Sequence, residues 1–153
     1  MMIEFENVIE IDRPVGVVFA FLADLENLPK WNYFVTQVRQ TSGDGPVVGA
    51  RYHQERKTDS QELAIVELEE SRLLAVETIP PSKPELRRRM TFEALDGKTR
   101  LVDRWQLDSG YPGLFQALAR SRVQSAVREN LGKLKELLET GKATLQDGRR
   151  VSL

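Results

Sequence analysis

Arg88, Asp103 and Tyr52 are the residues of this chain best suited to orient a ligand or move a proton. The run Arg87-Arg88-Arg89 lies in a stretch, 86–94, that alternates as a strand does. Arg87 and Arg89 then share a solvated side, and Arg88 points with Leu86, Met90 and Phe92 toward the apolar side. A lone inward arginine needs a partner, because burying an unpaired charge is costly. The next strand, 99–107, supplies one: Leu101, Asp103, Trp105 and Leu107 share a face. With Asp96-Gly97 as the turn, Arg88 stands opposite a residue close to Trp105, and Asp103 is a diagonal neighbour within reach. Two readings stay open. The pair is structural, or it lines a pocket in which the guanidinium binds a carboxylate or enolate oxygen and a desolvated aspartate acts as base.

Other chemistries find less material. His53 is the single histidine, so a Ser-His-Asp triad would have to use it. It lies on an expected strand beside Arg51 and Glu55, where a partly exposed structural role is the expectation. With one histidine and no cysteine, only carboxylate-dominated metal sites remain, and no Asp/Glu spacing resembles a Ca²⁺ loop. Gly43, Gly45 and Gly49 are not spaced as a phosphate loop and precede a strand. No metal and no cofactor is expected. The net charge of -1 offers nothing for wholesale attraction to nucleic acid, so no nucleic-acid partner is expected. The apolar run 15–23 is too short to span a bilayer, and acidic residues precede it. A cytoplasmic protein, monomeric or homodimeric, is the expectation.

These side chains must be positioned by a chain of 153 residues, consistent with one domain. Residues 2–11 alternate, with Ile3, Phe5, Ile9 and Ile11 on one face, as in a half-buried strand. Asp12 is a candidate N-cap for a helix entered through Pro14, with Val15, Val18, Phe19 and Leu22 on one face. Asp24 can cap a second short helix through Leu28, stopped by Pro29. Strands are expected at 34–40, 50–57, 62–69, 73–79, 86–94 and 99–107. Pro112 then opens a helix running to about Thr140, with Gly141 as its stop. At ~1.5 Å per residue it spans roughly 40 Å, enough to cross a sheet. Gly132 within it costs about 1 kcal/mol relative to alanine and suggests close packing or a bend. Residues 142–153 read as a frayed polar tail, leaving 1–141 as the domain.

The order is one strand, two short helices, about six strands and one long helix. That is an α+β chain with helices on one face of an antiparallel sheet. Sequential hairpins curl the sheet, and a straight rod does not fit flush into a curved layer. The gap between them is a natural ligand cavity. Trp31, Tyr33 and Phe34 would stand near its mouth, and Tyr52 and Trp105 would add polar handles on apolar bodies. Ile65, Met90 and Phe92 would form the wall, with Arg88 and Asp103 among them. The helix would contribute Phe115, Leu118, Ala119, Val123 and Ala126. Arg122, at the edge of the stripe, would close the pocket or snorkel to solvent.

The segments IDRPVGVVFAFLADLENLPKW and ARSRVQSAVRENLGKLKELLE resemble the START-like (SRPBCC) superfamily, specifically its polyketide cyclase/dehydrase and lipid transport branch. The likeness covers about residues 3–140. It implies a helix-grip fold, a curved antiparallel sheet of about seven strands around a long C-terminal helix. It also implies a hydrophobic or aromatic ligand such as a lipid, sterol, polyketide or quinone. Carriage or presentation of that ligand is the first expectation. A cyclase/dehydratase acting in the same cavity, with weak catalytic candidates Asp103, Arg88 and Tyr52, is the second. A protein-interaction module anchored on Trp31, Tyr33 and Phe34 is the third.

Overall fold

The computed structural model describes residues 2–108, 110 and 112–153. The first strand, β1 (Met2–Ile11), is followed by α1 (Val15–Ala23) and a 3₁₀ helix (Leu25–Lys30). Six strands come next: β2 (Val35–Ser42), β3 (Arg51–Arg56), β4 (Ser60–Glu69), β5 (Leu73–Thr78), β6 (Leu86–Leu95) and β7 (Lys98–Asp108). The long helix α2 (Gly113–Thr140) and two short strands, β8 (Lys142–Thr144) and β9 (Arg150–Ser152), end the chain.

The seven long strands form one antiparallel sheet in the order β1-β7-β6-β5-β4-β3-β2. Each consecutive pair from β2 to β7 is a hairpin neighbour, while the two helices after β1 carry the chain from one sheet edge to the other. The β6–β7 turn follows from Asp96-Gly97, whose φ values of 48° and 87° are those an inward-twisting two-residue turn requires. It sets the register Arg88↔Trp105 and Met90↔Asp103, as the alternation argument demands. Register shifts in β2 and β4 bend the strands at the far side of the sheet.

Helix α2 lies across the concave face, with its fully buried residues, Val127, Asn130, Leu131, Leu134, Leu137 and Leu138, all in its second half. In the first half Ala119 and Val123 pack only partly against the core. Leu114 is 87% exposed, Phe115 52% and Leu118 55%. Phe115 and Leu118 therefore do not join the buried stripe expected of them. Leu118 precedes Leu131 by thirteen residues, roughly 140° around the helix, so it cannot share the core-facing side. Gly141 ends the helix at φ 86°, its N–H donating to the Leu137 carbonyl.

Local expectations are revised at four places. Asp12 is not the cap of α1; the helix starts from Pro14, whose carbonyl accepts from Val17 and Val18, and the Asp12 N–H instead donates to Glu139 at 2.8 Å. Asp24 does cap the next turn, accepting from the Glu26 N–H, but Pro29 lies inside it. In a helix six residues long the missing proline N–H removes little. Gly132 is exposed, and a Cβ placed there would meet nothing within 4 Å, so close packing is not its reason.

The fourth revision is the largest. Residues 142–153 are a hairpin rather than a frayed tail, with Ala143 and Leu145 buried at 6% and 3% exposure. It is tied down by Gln146 Nε2 donating to Asn130 Oδ1 (2.9 Å) and by an ion pair of Lys57 with Asp147 (3.0 Å). Its turn uses Asp147-Gly148, with Gly148 at φ 86°, the same residue pair that turns β6 into β7.

Candidate functional site

Between the concave sheet, the 3₁₀ helix and the first half of α2 lies a cavity of about 970 Å³. That is the upper range for small-molecule sites. The sheet reaches it through positions on all seven strands, β2 through Val35 alone, and α2 in part through its small residues Ala119 and Ala126. Apolar groups dominate the wall: Leu22, Leu25, Leu28, Leu63, Leu74 and Met90 are typical.

One charged group stands in this wall with little access to solvent. Arg88 is 12% exposed and meets a fully buried Asp103. Its Nε donates to Oδ1 at 2.9 Å and its Nη2 to Oδ2 at 2.6 Å, a bidentate pair. The indole N–H of Trp105 adds a third bond to Asp103 at 3.0 Å. The guanidinium lies between two indoles, 5.2 Å from the Trp31 ring and 4.7 Å from the Trp105 ring. Such placement stabilises the cation and fixes its plane. Phe5 stacks on the far side of Trp105 at 5.7 Å, so the indole itself is held. Asp103 spends both oxygens on these donors and does not line the cavity. The arginine's Nη1 has no hydrogen-bond partner among the described residues and is the donor left over for a ligand.

The other expected site residues divide. Trp31 is buried and lines the cavity, as do half-buried Tyr33 and Phe34 at its lip. Lys57 lies over the Tyr33 ring at 5.2 Å and Arg56 over the Phe34 ring at 5.4 Å. Trp105, Met90, Ala119, Arg122, Val123 and Ala126 also line it. Tyr52, Ile65 and Phe92 do not. Tyr52 is 1% exposed within the core, and burial, followed by the fields of Asp24 and Glu26, raises its phenol pKa. It is packed among core side chains, so its ring does not border the cavity. Ile65 is solid core, and Phe92 packs edge-on against Phe19 of α1 at 5.2 Å, which closes that end of the sheet. Phe115 and Leu118 do not line it: Leu118 is out of phase, as noted, whereas Phe115 shares the phase of Ala119, Arg122 and Ala126 but stands a turn or more nearer the start of α2, beyond the cavity wall.

His53 lies on the outer face of β3, a quarter exposed, between Glu62 and Glu55. Arg87 and Arg89 are likewise outside, paired with Glu67 and, for Arg87, also with Glu77. Among the described residues no group of three or more His, Asp or Glu side chains could hold a metal ion. No described helix is long and apolar enough to cross a membrane.

Gln54, Gln61 and Asn130 are cavity residues that the sequence reading passed over. All three are more than nine-tenths buried. The signal was present. Gln54 alternates in phase with Tyr52, and Gln61 with Leu63 and Ile65, so each is a polar group at an inward position, as Arg88 is. Asn130 interrupts the apolar stripe between Val127 and Leu131.

A curved sheet gripping a helix over a half-open, largely apolar space is the architecture of a helix-grip ligand-binding fold. The sequence matches the model of the family "Polyketide cyclase / dehydrase and lipid transport" over residues 2–139. The chain belongs to that family. Solved structures agree in fold. A START superfamily protein from Mycobacterium smegmatis superposes with a TM-score of 0.72 at 14% identity, covering 88% of this chain and 98% of the other. The di-domain ARO/CYC BexL from the BE-7585A biosynthetic pathway gives 0.73 at 16% identity, with 89% of this chain matched to 46% of BexL, so the likeness spans about half of that protein. DR_A0006 from Deinococcus radiodurans gives 0.65 at 18% identity, covering 90% and 98%. No curated protein matches the sequence.

Proposed function

We propose that this protein binds a hydrophobic or aromatic small molecule in the cavity, for carriage or presentation, with residues 1–141 as the binding unit. The supporting observation is the 970 Å³ apolar space containing one neutralised guanidinium clamped between two indoles. In this reading Arg88 Nη1 orients a ligand oxygen, Trp31 and Trp105 stack on the ligand body, and Ala119 and Ala126 leave room beneath α2. Arg122 and Val123 close over it, and Tyr33 and Phe34 guard the lip. A cytoplasmic setting and a monomeric or homodimeric state belong to the same proposal.

The cyclase/dehydratase alternative has less support. Asp103 has its oxygens occupied and Tyr52 stands outside the cavity wall, which leaves Arg88 alone of the three candidates in contact with a ligand. The interaction-module alternative rests on an exposed aromatic patch, and Trp31 is 2% exposed. Native mass spectrometry of protein purified from its own host tests the binding proposal. A bound organic species, released on denaturation, is expected. Absence of any such species, together with no change in tryptophan fluorescence on adding apolar probes, would refute it.

A further inference from the structure

The cavity has a second polar end, remote from Arg88, and its hydrogen-bonding sense can be worked out from one backbone group. The carbonyl of Lys83 can only accept. Gln61 must therefore offer it Nε2, at 2.8 Å. The other Gln61 atom, Oε1, then accepts from Gln54 Nε2 at 3.0 Å. What is left at Gln54 is its oxygen. The order carbonyl, amide, amide leaves no freedom to flip either side chain without setting like against like. Gln54 lines the cavity at 7% exposure, and its Oε1 has no hydrogen-bond partner among the described residues.

The neighbours do not compete for that oxygen. Arg56 is committed to Asp59 through two bonds of 2.7 and 2.6 Å. Asn130 of α2 accepts from Gln146 through Oδ1, and its Nδ2 makes no hydrogen bond to Gln54 among the described residues. An apolar ligand end pushed against Gln54 would strip water from an acceptor and give nothing back, which disfavours it.

The two ends are well separated. The strand pairs Arg88↔Val76, Thr78↔Leu63 and Gln61↔Gln54 step across three strand spacings and four residues. That is roughly 20 Å over the sheet surface, and less across its concave side.

We infer that the ligand is bipolar: an apolar body carrying an acceptor oxygen at the Arg88 end and an O–H or N–H donor at the opposite end, received by Gln54 Oε1. The inference rests on the cavity being the ligand site proposed above, and it narrows the ligand class from any hydrophobic molecule to hydroxylated or amino-bearing carbonyl and carboxylate compounds.

Three flexible probes that adjust to the distance test it: dodecanoate, 12-hydroxydodecanoate and 12-methoxydodecanoate, titrated below their micelle concentrations with tryptophan fluorescence and calorimetry. The wild-type protein is expected to bind the hydroxy acid about tenfold more tightly than the methoxy acid, which keeps the oxygen and loses the donor. In Gln54→Met the hydroxy-over-methoxy preference is expected to vanish, with dodecanoate outbinding the hydroxy acid by about tenfold. Equal binding of hydroxy and methoxy acids by the wild type overturns the inference and leaves the binding proposal standing. A hydroxy-acid preference that survives unchanged in folded Gln54→Met also overturns it. Failure of all three probes to bind the wild type overturns both readings together. Should Gln54→Met not fold, the wild-type hydroxy-to-methoxy ratio decides alone.

Discussion

Replacing Arg88 by methionine isolates the energetics of the buried pair. Asp103 has no side-chain exposure and receives three donors: Arg88 Nε, Arg88 Nη2 and Trp105 Nε1. Methionine keeps most of the apolar stem but removes two of the three bonds. Hydrogen bonds to a charged group are worth about 1.5–3 kcal/mol each, so the loss is about 3–6 kcal/mol. Measurements on broken buried pairs centre on about 3–5 kcal/mol, and the lost contacts to two indoles act in the same direction. Arg88→Met is therefore expected to lower unfolding free energy by about 4 kcal/mol, read from urea transitions followed by far-UV circular dichroism and tryptophan fluorescence. Arg87→Met, on the solvated face of the same strand, is the control, with an expected cost below about 0.5 kcal/mol. Arg88→Met/Asp103→Leu removes the orphaned carboxylate and is expected to regain most of the loss. Equal midpoints for Arg88→Met and Arg87→Met would show that Asp103 does not depend on the arginine, and the clamped-pair account would be wrong.

Three further outcomes are expected. Gly132→Ala should raise stability by about 1 kcal/mol, since the helical site is exposed and open; a loss in urea midpoint would reveal a contact there. Leu145→Ala should cost about 2–4 kcal/mol, whereas a residue of a frayed tail would cost nothing measurable in the same assay. Tyr52 should ionise above the ordinary tyrosine range in an ultraviolet titration, and Tyr52→Phe should abolish that late step. The sign follows from linkage: a phenol whose folded pKa is raised stabilises the fold fully below its unfolded pKa, and the contribution disappears as pH rises through the folded value. Early ionisation of every tyrosine would contradict the burial assigned to Tyr52.

Much of the architecture was legible because two periodicities run nearly uninterrupted. Alternation in β1, β6 and β7 places Arg88 inward and opposite a residue close to Trp105, and the two-residue Asp-Gly turn makes that residue Trp105 itself. The long helix was legible from its stripe and its glycine stop. The cavity wall was less so. Which inward strand residues border space and which border other side chains depends on sheet curvature and on how far α2 stands off, and neither leaves a local trace. Tyr52 and Gln54 share a face of β3, yet only Gln54 reaches the cavity. Leu118 shows how a stripe misleads: an apolar residue beside the stripe in sequence stands about 140° from the core-facing side and is left exposed. The final hairpin was hidden by its three-residue strands, too short for alternation to register, although Asp147-Gly148 marked its turn.

The uneven seating of α2 makes it a cantilever. Its far half is clamped by Leu131, Leu134 and Leu138, while the half beginning at Gly113 overhangs the opening with its large apolar residues turned outward. Lifting that arm would break its bonds to β1, from Gln116 to the Met2 carbonyl and from Gln124 to the Glu6 carbonyl, and leave the clamp intact. Under the binding proposal, a ligand would then enter and leave by a hinge swing within one continuous rod, with no need to melt the sheet around it.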